Sequence, residues 1–69
     1  MYHVRVMDDD GTPVLVTQWR DGRAETISLA RHIAYNPHLY VLLRGLTPLR
    51  VWVVNRTDNV VWRGRERRA

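Results

Sequence analysis

Turn-forming residues interrupt this chain so often that nothing between them is long enough to be more than a short element. Asp10-Gly11, Asp21-Gly22, Asn36-Pro37, Gly45 with Pro48, and Thr57-Asp58-Asn59 are the interruptions. Gly and Asn tolerate positive φ, while Pro removes a donor and pushes its predecessor out of the α region, so each signal ends what precedes it. With 69 residues in all, the pattern describes one domain, 1–69, assembled from short strands and helices, with 66–69 read as a frayed basic tail. A lone core of this size lies near the lower limit of self-sufficiency. The chain has no cysteine, hence no disulfide staple, thiolate metal site or Cys nucleophile. Its 45% apolar content is enough to offset the entropy of ordering. Oligomerisation or docking on a larger partner becomes attractive in such a chain, and a homodimer through strand edges or the 37–44 segment fits the pattern.

Hydrophobic periodicity fills in the elements. Tyr2, Val4 and Val6 alternate with His3, Arg5 and Met7, the period of a half-buried strand. Asp10-Gly11 then joins this strand to Pro13–Trp19 as a hairpin. Asp21-Gly22 repeats the turn signal and predicts a weaker third strand, Arg23–Ile27. Ser28 is a cap for a short helix over Leu29–Tyr35, with Leu29 and Ile33 spaced i, i+4. Asn36-Pro37 starts a second helix, 37–44, closed by Gly45. The competing reading of Leu39–Leu43 is a buried strand, because a short apolar run has no diagnostic period. Leu49–Arg56 and Val60–Arg65, joined through Thr57-Asp58-Asn59, predict a C-terminal hairpin. The expectation is an α+β fold of order β-β-β-α-α-β-β: an N-terminal β-meander and a C-terminal β-hairpin in a small antiparallel sheet, with two short helices packed on one face.

Charge is distributed unevenly along this frame. All of the 11 basic residues are arginine. Residues 1–30 carry a net −2 and residues 31–69 a net +6, giving the total of +4. Arginine presents a planar fork of donors suited to phosphate and carboxylate, so a clustered arginine surface points to an anionic partner.

The C-terminal hairpin concentrates that chemistry. Alternation sends Val51, Val53, Val60 and Trp62 to one face, which suits a core, and Arg50, Trp52, Val54, Arg56, Val61, Arg63 and Arg65 to the other. Arginine interleaved with an aromatic ring on a sheet face is suited to single-stranded nucleic acid, with phosphates on the guanidinium forks and a base on the ring. Arg67 and Arg68 extend it as an electrostatic arm. The plainer alternative is an arginine covering Trp52 in a cross-strand cation–π pair that only stabilises the hairpin.

Other motifs carry less. Asp8-x-Asp10-Gly11-Thr12 after a strand is similar to the nucleophile motif of haloacid-dehalogenase-type phosphatases, in which the first Asp attacks phosphate, the second acts as acid/base and both help to hold magnesium. The match covers one short segment, and the chain lacks both lysine and the length for that doubly wound fold. A hairpin turn accounts for the same residues. A helix-turn-helix over 29–46 followed by a hairpin wing fits poorly, because the second helix offers little beyond His38 and Arg44 to base edges. Its Leu39, Tyr40 and Leu43 are instead candidates for a partner interface. His3, His32 and His38 do not have metal-ligand spacing, and Ser28 is the lone serine, so no enzyme, metal or cofactor is expected. No apolar run approaches a membrane span or a signal-peptide core, so a cytoplasmic location away from membranes is expected. The function expected is a small non-enzymatic binding module whose Arg/Trp face takes nucleic acid. The alternative is a protein-interaction factor, such as a regulator, an inhibitor or an assembly subunit, docking on an acidic or apolar protein surface.

Overall fold

The computed structural model describes residues 1–8, 10–40, 43 and 50–64. Strands β1 (Tyr2–Met7) and β2 (Pro13–Val16) form the first hairpin. Helix α1 (Arg23–Tyr35) follows, then a 3-10 turn at Pro37–Leu39, and the second hairpin is β3 (Arg50–Asn55) with β4 (Val60–Arg63). Among the described residues the four strands make one antiparallel sheet in the order β2-β1-β3-β4. The class is therefore α+β, with β1 and β3 as the central pair and α1 carrying the chain from the β2 edge across to β3.

The predicted third strand is helix. Arg23–Ile27 is the first part of α1, which begins after Gly22 and not at Ser28. Ala24 and Glu25 are good helix formers, and Glu25 in the first turn complements the helix dipole. The buried stripe is Thr26, Ala30 and Ile33, spaced i, i+4, i+7. It starts on a residue that counts as polar, so apolar periodicity becomes visible only from Leu29 onward. Thr26 is accommodated because its hydroxyl donates to the Gly22 carbonyl at 2.6 Å, a back-bond that satisfies a buried polar group within the helix. The helix ends at Asn36, whose backbone amide and side-chain amide both donate to the His32 carbonyl. Pro37 prevents continuation. In place of the start of the predicted second helix, Pro37–Leu39 is a three-residue 3-10 turn, and the rest of 37–44, apart from Tyr40 and Leu43, lies outside the described residues, as do the Gly45 and Pro48 signals.

One face of the sheet packs on α1. Val4, Val6, Val51 and Val53 from the central strands meet Ala30, Ile33 and Leu43 in a fully buried core, with Leu15 and Trp62 packed at its margins. The β-branched side chains suit a pleated surface, and burying each stabilises the fold by roughly 1.5–3 kcal/mol. Gly64 closes the sheet edge against this core. Its amide donates to the Val51 carbonyl at 2.6 Å, and a Cβ there would lie 3.0 Å from that oxygen and 3.3 Å from the Ala34 methyl.

The two hairpins are built alike. In the first, the Asp8 amide pairs with the Thr12 carbonyl, the Gly11 amide donates to the Asp8 carbonyl, and Gly11 takes φ 82. In the second, Asn55 and Asn59 stand where Asp8 and Thr12 do, the Asp58 amide donates to the Asn55 carbonyl, and Asp58 takes φ 64. In both, one side-chain oxygen accepts two amides: Asp8 Oδ1 from Asp10 and Thr12, Asn55 Oδ1 from Thr57 and Asn59. In both, the ladder then slips by one residue, between Val6 and Met7 and between Val53 and Val54. These are three-residue loops with a left-handed third position, followed by a bulge. Because β1 and β3 pair with Arg5 opposite Trp52, the hairpins are related by a pseudo-twofold axis through that pair, which exchanges Arg5 with Trp52 and Val16 with Arg63. The axis applies to the strands alone, since the sequences of the hairpins differ and α1 has no counterpart among the described residues.

Candidate nucleic-acid interface

The face of the sheet turned away from α1 gathers the arginine and aromatic side chains. Antiparallel register sets Val16, Arg5, Trp52 and Arg63 in one row across all four strands. Arg63 holds its guanidinium carbon 5.2 Å from the Trp52 ring centroid, so the cross-strand cation–π pair expected as the plainer alternative is formed. Arg50 lies on the same face, opposite Met7. Arg56 belongs to the β3–β4 turn and is exposed, its guanidinium directed at the Met1 sulfur at 3.7 Å. Arg65, Arg67 and Arg68 lie outside the described residues.

The slip in the second hairpin changes two face assignments, since Val61, expected on the Arg/Trp side, is the bulge residue and packs against the core. Val60 pairs with Val54 and Trp62 with Val53, so Val60 joins the Arg/Trp side and not the core side predicted for it. A regular two- or four-residue loop keeps alternation unbroken, whereas the bulge at Val61 consumes one residue and flips whatever lies on the turn side of it.

Three contributors escaped the sequence reading because they come from the other hairpin. The sequence places Arg5 on β1 but not on this face, since nothing local says that β1 pairs with β3. Its Nη2 donates to Asp58 Oδ1 at 3.1 Å. Exposed pairs of this kind typically contribute about 0–1 kcal/mol. Trp19 lies past the end of β2, where Gln18 and Trp19 together oppose the single residue His3: Thr17 pairs with Val4 and Arg20 with Tyr2. The extra residue throws the indole over the sheet, and it stacks on the His3 imidazole at 4.3 Å between centroids with 1° between planes.

His3 is only 8% exposed, and among the described residues its Nε2 has no hydrogen-bond partner. Burial first, and the Arg5 charge second, hold its pKa below the ordinary value near 6.5, with Asp58 opposing. The imidazole is thus kept neutral beneath the indole, which suits a stacking platform. Trp19 remains 45% exposed and Val16 49%. Among the described residues the face therefore offers two indoles, a row with two arginines, and the Asp58 carboxylate.

The proposed partner interface fares differently. Leu43 is 1% exposed and belongs to the core, and Tyr40 is half-buried against it with its hydroxyl 2.7 Å from His32 Nδ1. Leu39 alone of the three is exposed, at 58%. Residues that are apolar by composition were spent on covering the end of α1, which a small domain requires. Asp8, the position that resembles a phosphatase nucleophile, has its carboxylate engaged by the two turn amides. Among the described residues no group of three or more His, Asp or Glu side chains is arranged to hold a metal ion, and no helix is long and apolar enough to cross a membrane.

No family model, curated protein or solved structure matches the chain. Function is therefore read from the face itself.

Proposed function

We propose that the protein is a small non-enzymatic module that binds single-stranded nucleic acid on the helix-free face of its sheet. The observation that carries this reading is the row Arg5-Trp52-Arg63 on adjacent strands, flanked by the Trp19–His3 stack. Adjacent strands are about 4.8 Å apart, so the row places an arginine on the strand at each side of Trp52. That arrangement suits a strand whose phosphates meet arginine while a base meets indole. Arg63 already lies over Trp52, so a base arriving there displaces it towards the phosphate beside that base, exchanging a cation–π contact for a charge-assisted hydrogen bond. Stacking of this type contributes about 1–3 kcal/mol per base. An acidic protein presented to the same arginines is the competing partner; it would depend on one or two buried anchors and less on salt.

Trp fluorescence during titration with single- and double-stranded oligonucleotides, at low and at near-physiological salt, tests the reading. Quenching by the single strand that weakens with salt and with Arg63→Gln is the expected result. Absence of binding at low salt by the wild-type protein overturns it.

A further inference from the structure

Among the described residues the Arg/Trp face carries one charge of the wrong sign. Asp58 projects from the β3–β4 turn to Arg5, a contact between residues near opposite ends of the chain. The turn itself does not require an aspartate. Its left-handed position is occupied in the first hairpin by Gly11, and Gly or Asn adopts that conformation at least as readily as Asp. What Asp58 adds over either is a carboxylate, set against the guanidinium of Arg5, whose backbone pairs with Trp52. The pair is open to solvent, with side-chain exposures of 29% for Arg5 and 78% for Asp58, so an incoming anion reaches it without opening the fold.

Resting on the function proposed above, we infer that Arg5 is a phosphate-binding residue of this face and that Asp58 occupies its guanidinium until a nucleic-acid phosphate displaces it. A guanidinium fork accepts carboxylate and phosphate by the same geometry, so the exchange replaces one oxyanion by another and breaks no covalent bond. The cost of displacing Asp58 is the same for any phosphate. Stacking on indole is what a strand adds, so a strand offsets a cost that free inorganic phosphate meets with the Arg5 contact alone.

Fluorescence anisotropy of a labelled oligo-dT strand of roughly ten nucleotides separates the possibilities, using the wild type, D58N, D58G, R5Q, R5Q/D58N and R63Q. D58N and D58G, both suited to the turn, are expected to tighten binding by about 3–10-fold and to steepen the salt dependence by roughly 0.7 in log–log slope. R5Q is expected to weaken binding and to remove most of the gain that D58N confers. An equal gain from D58N with and without Arg5 would mean that only net charge had changed, and overturns the inference. Wild-type binding that is weakened by R63Q but indifferent to both D58N and R5Q overturns the role of Arg5 while leaving the face intact. Failure of every variant to bind at low salt removes both readings. One further measurement needs no ligand: the NMR titration of His3 should move to lower pH in D58N, because Asp58 opposes the effect of Arg5 there. An unmoved His3 would show that the pair is not formed in solution.

Discussion

His3 shows how one side chain couples burial to pH. In the unfolded chain it takes up a proton below about pH 6.5, whereas in the fold burial first and Arg5 second oppose that protonation, with Asp58 partly offsetting them. Its folded pKa is lowered, so the unfolded state binds more protons as pH falls below about 6.5. The stability it contributes is present above that pH and is lost as pH falls through the window down to the folded value. Urea midpoints measured between about pH 7.5 and about pH 5 should therefore fall with acidification, and His3→Phe, which keeps a ring under Trp19, should flatten the dependence. Gly64 makes the complementary steric case. Gly64→Ala places a methyl against the Val51 carbonyl and Ala34 and should cost about 1–3 kcal/mol of unfolding free energy. Neither effect is visible locally in the sequence: one histidine and one glycine look like any others until β1 meets β3 and β4 ends over the helix.

At the level of elements, the loops decide more than the strands. Asp8 and Asn55 each accept two turn amides, so Asp8→Ala and Asn55→Ala should destabilise the protein by similar amounts, about 1 kcal/mol each, in equilibrium unfolding. A large cost at one and none at the other would contradict their equivalence. The strand runs themselves, β1 and the C-terminal hairpin, were legible from period-2 alternation and β-branched content. The bulges were not, because a one-residue slip is selected by loop geometry and by which residues the helix can cover. Helix α1 was half-legible. Its second half follows apolar spacing, whereas its first half is anchored by Thr26, whose buried hydroxyl is satisfied only once the helix exists.

In the molecule as a whole, the small core sets the margin. A chain of 69 residues has a net stability of only about 3–10 kcal/mol, and Ile33 is among its largest fully buried side chains. Ile33→Ala should remove about 2–5 kcal/mol, enough to abolish a cooperative thermal transition or to lower its midpoint by roughly 10 °C or more. The same economy separates the two faces of the sheet. One is used up against α1, and the other is left to carry Arg5, Trp52, Arg63 and the Trp19–His3 stack. Binding measured against salt should then follow the helix-free face: Trp52→Leu should weaken affinity with little change in salt slope, whereas Arg63→Gln should reduce the slope by roughly 0.7.

Alternation and turn chemistry by themselves determined that this chain is α+β, that it begins and ends in hairpins, and that Trp52 and Arg63 share a face, because those relations are local and have a fixed period. Tertiary structure alone decided that β1 and β3 are neighbours, that Arg5 and Trp19 from the acidic half join the arginine face, and that Leu43 is buried in the core. These relations depend on pairing between distant segments, where the free energy comes from apolar area that α1 and the sheet bury together, and no local pattern encodes that choice.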